Sequence, residues 1–377
     1  MMKDKLFLMI GWVMMLCACQ PQKELTLSGL DKKNFQMEVD GKPTDLVVIT
    51  NANGLEACVT NYGARLVSLM VPDKNGVMED VVTGFPTIAE YVNQNQNFGA
   101  TVGRYIGRIL GPSFTIDSVE YKLQGYGKAT HISHGGKPGF AGRVWTIEQV
   151  EKDAVTLSYL SPDGENGFPG NLQMHLTYRL TADNALDLTY TATTDRPTVL
   201  NPSHHSFFNI SGDFNKTVED QLMWIDAEMI TAYDAKKCVT GEYMEVSSTP
   251  FDFRAPTPVG AHIDDENDQL KVTRGYDHGW VLNTQGDDNC VAAWIYDEES
   301  GRKMEIYTTE PSVHVYSGNG LKGNLVGKDS VAYASRTSIC FETMHYQNSP
   351  NIAHFPSTVL RPGETFKSRT AYRFVIE

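Results

Sequence analysis

Apolar and polar residues alternate in short runs along most of this chain. Segment 185–193 shows the pattern most clearly, because Leu186, Leu188 and Tyr190 alternate with polar residues. A period of two residues is typical of a strand with one buried face. Segment 172–180 precedes it, and the turn-forming residues 181–184 lie between the two. The pattern predicts an antiparallel hairpin.

Further strand candidates flank residues that favour turns, namely Gly, Pro, Asn and Asp. These candidates are 46–50 with 55–61, 65–71, 144–150 with 154–160, and 290–297 with 302–308. Helical periodicity is limited to 87–92 and 264–270. Many short strands joined by regular turns predict an all-β fold, and at this length we expect one large antiparallel β-sandwich.

No change in composition marks a linker between domains. A chain of 377 residues could hold two domains on length alone. However, the chain contains no Ser/Gly tract, charge block, repeat or low-complexity segment. We therefore predict a single domain over residues 44–377.

The first 43 residues differ from the rest. Lys3 and Lys5 precede an apolar run over 6–16, as in a secretory signal, and the run is shorter than the roughly 20 residues of a membrane-spanning helix. Leu16-Cys17-Ala18-Cys19 resembles a bacterial lipobox, in which Cys19 would be lipidated. We expect a signal peptide over 1–18, a lipid-anchored tether and lead-in over 19–43, and export to the cell envelope, facing the periplasm or on the outer membrane. A cleaved signal with an incidental cysteine is the alternative.

The net charge indicates which partners are disfavoured, and the cysteines indicate whether disulfides or metal sites are expected. The formal net charge is −14, and removal of residues 1–18 leaves −15. Such a surface repels nucleic acid and anionic lipid. Cys58, Cys238, Cys290 and Cys340 remain without a Cys-x-x-Cys, so we expect buried free thiols. No zinc spacing or calcium loop is visible, although a structural Ca²⁺ is left open.

Two segments carry the strongest chemical signals. Residues 201–209 read Asn-Pro-Ser-His-His-Ser-Phe-Phe-Asn. Imidazole moves protons near neutral pH, and aromatic and hydroxyl groups suit a pocket for a small polar ligand. A surface turn with a satisfied histidine pair is the alternative. Glu342 lies in the strand-like segment 338–343, where a buried carboxylate is costly unless it has a partner.

These signals combine into a resemblance to a known family. The residues in question, in chain order, are Arg108, His134, His205, Asp277 and Glu342. With segments 59–64 and 161–170 and with 316–319, they resemble the aldose 1-epimerase (galactose mutarotase) family over roughly 46–377. The resemblance implies a galactose mutarotase-like supersandwich and interconversion of the α and β anomers of a free aldose, without a cofactor. We expect a monomer.

The resemblance also implies roles for individual residues. Glu342 would be the general base, and His205 would be the general acid at the ring oxygen. Arg108, His134 and Asp277 would bind sugar hydroxyls. With ordinary pKa values of about 4.3 and 6.5, Glu342 would be ionised and His205 could carry a proton at neutral pH.

His204, next to His205, is a further candidate for substrate binding. A register shifted by one residue would make His204 the acid. The sequence Ser206 to Asn209 favours His205, because the family's histidine precedes a small hydroxyl residue, two aromatic residues and Asn.

Several departures from the family leave the substrate open. Gly107 and His204 stand where the family usually has Asn, Phe207 where it often has Tyr, and Met344 where it often has Gln. Galactose and glucose are the default substrates. A non-catalytic sugar-binding lipoprotein and a glycoside-cleaving enzyme, with Asp277 and Glu342 as its two carboxylates, are the alternatives.

A formal Gly-x-Gly-x-x-Gly occurs at 318–323. A dinucleotide site needs a strand before it and a helix after it, and 324–329 has no helical pattern. We expect a loop near the sugar pocket or a plain turn.

Overall fold

Strands make up most of the regular structure in residues 25–94, 96–124 and 127–377, the part of the chain that the computed structural model describes. The strands are β1 (Glu38–Val39), β2 (Lys42–Pro43), β3 (Leu46–Thr50), β4 (Glu56–Thr60), β5 (Arg65–Pro72), β6 (Met78–Asp80), β7 (Ala100–Val102), β8 (Arg108–Leu110), β9 (Ser113–Ile116), β10 (Val119–Lys122), β11 (His131–Ser133), β12 (Thr146–Val150), β13 (Ala154–Ser161), β14 (Leu172–Leu180), β15 (Ala185–Thr194), β16 (Thr198–Val199), β17 (Ser203–His205), β18 (Phe207–Phe208), β19 (Leu222–Ile225), β20 (Ala227–Tyr233), β21 (Val239–Glu245), β22 (Thr257–Pro258), β23 (Asp277–Leu282), β24 (Ala293–Asp297), β25 (Arg302–Thr308), β26 (Ser312–Tyr316), β27 (Ile339–Met344), β28 (Val359–Leu360) and β29 (Phe366–Ile376). The α-helices are α1 (Ile88–Gln94) and α2 (Asp268–Thr273). Short 3₁₀ helices occupy Lys32–Phe35, Phe140–Gly142, Glu165–Gly167, Lys328–Ser330 and Ser349–Asn351. The all-β prediction is confirmed.

Three sheets form the body of the fold. The nine-stranded sheet has the order β12-β13-β14-β15-β29-β25-β24-β19-β22, the six-stranded sheet β18-β27-β26-β23-β20-β21, and the four-stranded sheet β3-β4-β5-β6. Neighbouring strands in these sheets run antiparallel. One core cluster contains Leu188, Trp280 and Ile49, one from each sheet. The sheets therefore bury their apolar faces against one another, as the sandwich prediction requires.

The predicted strand bounds hold where alternation is strong. The structure has β14 and β25 at the predicted bounds, and β14 alternates buried and half-buried positions along its whole length. β24 begins only at Ala293, although the apolar pattern starts at Cys290. A turn extends to Cys290, whose N–H donates to the carbonyl of Asp287.

The same alternation creates a second, chemically active face on the six-stranded sheet. In β26, Val313 and Val315 belong to the core cluster, so His314 and Tyr316 lie on the opposite face. In β27, Phe341 belongs to the core, and Cys340 and Glu342 lie on that opposite face. Polar side chains from adjacent strands thus meet on one side of a rigid sheet.

The predicted tether and lead-in, 19–43, lies partly outside the described residues, which begin at Leu25. From there the chain packs on the domain. Leu30 and Phe35 are buried in an apolar cluster, and the N–H of Leu27 donates to Glu56 Oε1 at 2.7 Å. Cys19 and the signal segment are not described. Within the described part of the chain, neither helix has the length and apolarity to cross a membrane.

The prediction of buried free thiols is confirmed for three of the four cysteines. Cys58, Cys238 and Cys340 are buried and unpaired. Cys290 is free but exposed, because the turn before β24 carries it to the surface. The prediction that Cys290 is buried was wrong, because the apolar run after it had been interpreted as a strand that begins at Cys290.

Candidate active site

A cavity of about 490 Å³ lies over the polar face of the six-stranded sheet. Its lining includes five residues that the sequence singled out: Arg108, His134, His205, Asp277 and Glu342. They come from distant parts of the chain, and the sheet and its neighbouring loops bring them together. The volume falls in the range of pockets for small ligands.

Glu342 lies on the cavity floor, in the interior of β27. Its side chain is about 4% exposed, and it pairs across the strands with His314 of β26. Burial raises the pKa of Glu342 to about 7, because the charged carboxylate loses solvation. A carboxylate with this pKa is a stronger base than an ordinary glutamate.

His205 ends β17, which pairs with β7. Its ring stacks on Phe207 at a centroid distance of 5.1 Å and meets His134 edge-on at 5.5 Å. Its Nε2 lies 3.5 Å from Glu342 Oε1. Burial and the nearby His134 lower the pKa of His205 well below its usual value.

Cys340 contacts the other nitrogen of His205. Its Sγ lies 3.6 Å from Nδ1. Burial raises the pKa of the thiol well above its usual value, so the sulfur keeps its proton and can donate weakly to Nδ1. The sulfur can also accept from Nδ1–H, so this contact suits either neutral tautomer of His205, and Nε2 faces Glu342.

These surroundings overturn the predicted charge states of the empty site. The sequence predicted an ionised Glu342 and a His205 able to carry a proton at neutral pH. Burial acts on both groups in the opposite sense, raising the pKa of the acid and lowering that of the imidazole. The neutral pair is therefore the favoured state below about pH 7.

His204 does not line the cavity, contrary to the prediction that it binds substrate. Successive side chains of a strand point to opposite faces, so His204 points away from His205. Its Nε2 lies 2.6 Å from the Ser206 hydroxyl, and its Nδ1 lies 3.3 Å from the Tyr178 hydroxyl. Burial lowers the pKa of His204 to about 3. The structure therefore places His204 in the packing behind the site and not in the cavity.

Asp277 and Arg108 form a charged wall of the cavity. Arg108 Nη2 lies 3.9 Å from Asp277 Oδ2, and His314 Nε2 lies 2.9 Å from Asp277 Oδ1. Burial alone would raise the pKa of Asp277, but the hydrogen bond from His314 and the Arg108 guanidinium hold it below its usual value. Asp277 therefore stays ionised and can accept hydrogen bonds from hydroxyl groups.

His134 follows β11 with a left-handed φ of 52°. Its Nδ1 is buried and has no hydrogen-bond partner among the described residues. Burial, together with Arg108, lowers the pKa of His134 to about 4, so the ring is neutral. Gly135 makes this turn possible, since a β-carbon there would lie 2.0 Å from the carbonyl oxygen of Gly103.

Sequence reasoning missed several lining residues, above all His314 and Gln347. A signal for His314 existed, because it lies two positions before Tyr316 and so shares its face of β26. The loop carrying Gly320, Leu321 and Lys322 also lines the cavity. The glycine-rich segment 318–323 is therefore a loop at the pocket, as predicted.

One group of possible metal ligands lies in the site. Donor atoms of His205, Cys340 and Glu342 all lie within 4.8 Å of one another. Residue spacing did not indicate this group, because the histidine is brought next to β27 by the pairing of the following strand, β18, with β27. Of these three side chains, His205 contacts both Glu342 and Cys340, and the expectation that no metal is needed stays a prediction.

The arrangement suits proton transfer at two neighbouring atoms. A base and an acid with matched, shifted pKa values lie a few ångströms apart on the cavity floor. Around them stand donors and acceptors for an uncharged polyhydroxyl ligand, namely Arg108, His134 and Asp277.

Comparison with known proteins gives a consistent result. The family described as aldose 1-epimerase matches residues 45–373. The chain is 32% identical to human galactose mutarotase over 353 residues, which cover 94% of this chain and 97% of that protein. It is 33% identical to the aldose 1-epimerase of Escherichia coli K12 over 340 residues, 90% of this chain and 97% of the relative.

Solved structures agree with the sequence comparison. A GalM/aldose epimerase homologue from C. elegans superposes with a TM-score of 0.81 at 28% identity, covering 88% of this chain and 99% of the other. A galactose 1-epimerase from Lactobacillus acidophilus NCFM gives a TM-score of 0.79 at 25% identity, covering 90% and 97%. The supersandwich expected from the resemblance is confirmed.

Proposed function

This chain belongs to the aldose 1-epimerase family, and from that premise we propose that it interconverts the α and β anomers of free aldoses, with galactose and glucose as the default substrates. It is an isomerase that opens the hemiacetal ring and recloses it by acid–base catalysis. The observation that carries the proposal is the 3.5 Å separation of His205 Nε2 and Glu342 Oε1. The anomeric oxygen and the ring oxygen are bonded to the same carbon, so one base and one acid that reach both must be near neighbours, as these two atoms are.

Each proton and bond in the proposed reaction has a defined place. The Glu342 carboxylate takes the proton of the anomeric hydroxyl, and the electron pair of that O–H bond becomes the C1=O bond. The C1–O5 bond breaks with its electrons on O5, which receives the Nε2 proton of His205. Rotation about C1–C2 presents the other face of the aldehyde. The two transfers then run in reverse and close the ring as the other anomer.

Burial of the pair favours ring opening. After opening, Glu342 is protonated and His205 is neutral, which is the state that the buried surroundings favour. The raised pKa makes Glu342 a stronger base, and the lowered pKa makes protonated His205 a stronger acid. The same solvation effect therefore favours both transfers once the ion pair has formed. Before ring opening, the shared proton of the pair must lie on His205 and not on Glu342. This ion pair is less populated than the neutral pair.

We expect a bell-shaped pH dependence of kcat/KM for the free enzyme. Both the ion pair and the neutral pair hold one proton, so activity follows the one-proton state of the coupled pair. Loss of that proton, at about pH 7, lowers activity as pH rises. Gain of a second proton lowers it only well below pH 6.5, because the pKa of His205 is depressed. Initial mutarotation rates between pH 4 and 9, corrected for the uncatalysed reaction, give the profile.

The alkaline limb is the decisive part of this profile. A rate that instead rises through pH 7 and stays high would mean that Glu342 acts as a base without a protonated His205. The same profile recorded with Cys58→Ser serves as a control, because Cys58 is buried in a separate apolar cluster.

The alternative functions predict different products and rates. A non-catalytic sugar-binding protein has no use for the buried acid–base pair. A glycoside-cleaving enzyme needs two carboxylates flanking the bond, whereas Asp277 is already engaged by His314 and Arg108. The test follows optical rotation of freshly dissolved α-galactose, α-glucose and α-xylose, with release of nitrophenol from nitrophenyl galactosides in parallel. Faster rotation without nitrophenol supports mutarotation, and nitrophenol release contradicts it.

We further propose that the chain is exported and lipid-anchored through Cys19, so that it equilibrates anomers outside the cytoplasm. The apolar run and lipobox-like end over residues 6–19 support this. In a bacterial host, wild type should incorporate labelled palmitate and fractionate with membranes. Cys19→Ser should lose both, while Cys17→Ser should keep them. A Cys19→Ser protein that still takes up the label would contradict the anchor.

A further inference from the structure

The Gln347 side chain fills the space beside Gly107 in the cavity wall. Gln347 is buried and lines the cavity. A β-carbon on Gly107 would lie 2.5 Å from Gln347 Cγ. Gly107 also has a φ of +73°, a conformation that favours glycine. A side chain at position 107 and the present position of Gln347 therefore exclude each other.

The hydrogen bonds of Gln347 fix the direction of its amide. One end faces the backbone N–H of Arg108 at 3.1 Å. A backbone N–H can only donate, so this end must be the oxygen Oε1. The NH₂ group then faces the Tyr233 hydroxyl at 2.8 Å and His314 Nδ1 at 3.5 Å. Burial raises the pKa of Tyr233 well above its usual value, so the phenol stays neutral.

The direction of this amide determines where His314 carries its hydrogen. Nδ1 faces an N–H donor, so it presents its lone pair. A proton on Nδ1 would place two N–H groups against each other at 3.5 Å. The hydrogen therefore lies on Nε2, which is 2.9 Å from Asp277 Oδ1. His314 thus donates to Asp277 through Nε2.

His314 occupies a central place in the site. Its strand, β26, lies between β23, which carries Asp277, and β27, which carries Glu342. A charge on His314 would act on both carboxylates at once. The titratable and charged groups around it are Asp277 and His278 of β23, Glu342 of β27, Tyr233 of β20, His205 of β17, His134 after β11 and Arg108 of β8.

Resting on the proposed function, we propose that Gln347 is a positioning residue that keeps the Nδ1 of His314 as an acceptor and its Nε2–H directed at Asp277, and thereby presents Asp277 to a sugar hydroxyl. Contacts link these residues into a closed ring, from the Arg108 backbone through Gln347, His314 and Asp277 back to the Arg108 guanidinium. Asp277 receives one hydrogen bond from His314, at Oδ1. Its ionised oxygens therefore remain strong acceptors for the substrate.

The test replaces the amide by a carboxylate of the same shape. In Gln347→Glu, one oxygen still accepts the N–H of Arg108, and the other faces His314 Nδ1 as an acceptor. We expect His314 to carry its hydrogen on Nε2 in wild type, with Nδ1 bare, and to carry a hydrogen on Nδ1, facing the new carboxylate, in Gln347→Glu. Long-range ¹H–¹⁵N correlation spectra of the histidine-labelled full chain without sugar report this directly. His314→Gln assigns the signal among the ten histidines.

Two further variants separate positioning from a general effect. Gly107→Ala should displace Gln347 without changing it, and His314 should then show a mixture of tautomers. Gln173→Glu makes the same chemical change outside the cavity lining, and His314 should be unchanged. In Gln347→Glu we also expect KM for the aldose to rise about tenfold with a smaller change in kcat, since a hydrogen bond to a charged acceptor is weakened.

A wild-type His314 with its hydrogen on Nδ1, or a Gln347→Glu spectrum identical to wild type, overturns the proposal. The spectra are recorded without sugar, so this result does not depend on mutarotation. A wild type that shows the expected tautomer but no acceleration of mutarotation contradicts the proposed function and leaves the assignment of Gln347 supported.

Discussion

Replacing Glu342 with glutamine is expected to lower kcat for mutarotation by about 10³-fold, within the range for loss of a general acid or base. The amide has nearly the same shape but cannot take the proton of the anomeric hydroxyl. KM should change little, because Arg108, His134 and Asp277 still line the cavity. The initial rate of change of optical rotation, measured with the purified variant at saturating α-galactose, gives kcat.

The same substitution should leave the fold intact and stabilise it at high pH. The pKa of Glu342 is about 7 in the folded protein, against an ordinary value of 4.5. A raised carboxylate pKa means that folding binds the proton, so its stabilising effect is present below pH 4.5 and is lost as pH rises to 7. By linkage this loss is on the order of 3 kcal/mol. At pH 8, Glu342→Gln should therefore match or exceed wild type in denaturant unfolding. An inactive variant that is also less stable at pH 8 would indicate a structural role.

Replacing His205 with asparagine is expected to lower kcat by about 10²-fold or more, because the ring oxygen then lacks an acid. His204→Asn provides a matched control, since it makes the same chemical change one residue earlier in β17. His204 faces the Ser206 and Tyr178 hydroxyls away from the cavity. Its replacement should lower the free energy of unfolding by about 1–2 kcal/mol and keep kcat per folded molecule within a few-fold.

The contrast between the two histidines assigns the acid. Loss of activity in His204→Asn with retention in His205→Asn would mean that the strand is shifted by one residue from its described register. If kcat fell equally in His205→Asn and His204→Asn, and both variants unfolded normally, the assignment of His205 as the acid would be contradicted.

Most of the fold was predictable because periodicity records burial directly. β14 and β25 lie at their predicted bounds, since each alternates core and outer positions over its full length. Cys290 shows the limit of this reasoning. Its apolar neighbours suggested a strand, but the turn formed by Asp287 extends to it.

The site was predictable in part, for a different reason. Arg108, His134, His205, Asp277 and Glu342 were found through a family resemblance, and pairing of distant strands brings them together. His204 was wrongly assigned to the substrate, because neighbouring strand residues point to opposite faces. His314 was overlooked although it shares a face with Tyr316. Gln347 gave no signal, since its place depends on the space left by Gly107.

The protonation states could not be predicted from residue types. Glutamate and histidine suggested an ion pair at neutral pH. Their pKa values depend on solvation, and both groups lie on the floor of a deep cavity. Burial shifts the two pKa values toward each other's usual range, and burial becomes known only when the strands are placed.

The most direct test of the central claim is a polarimeter trace of freshly dissolved α-galactose with purified protein at pH 6.5. The account predicts a faster approach to the same final rotation as the uncatalysed reaction, in proportion to protein concentration, because a mutarotase changes the rate and not the equilibrium. An unchanged rate with α-galactose, α-glucose and α-xylose alike would contradict the account, as would a different final rotation.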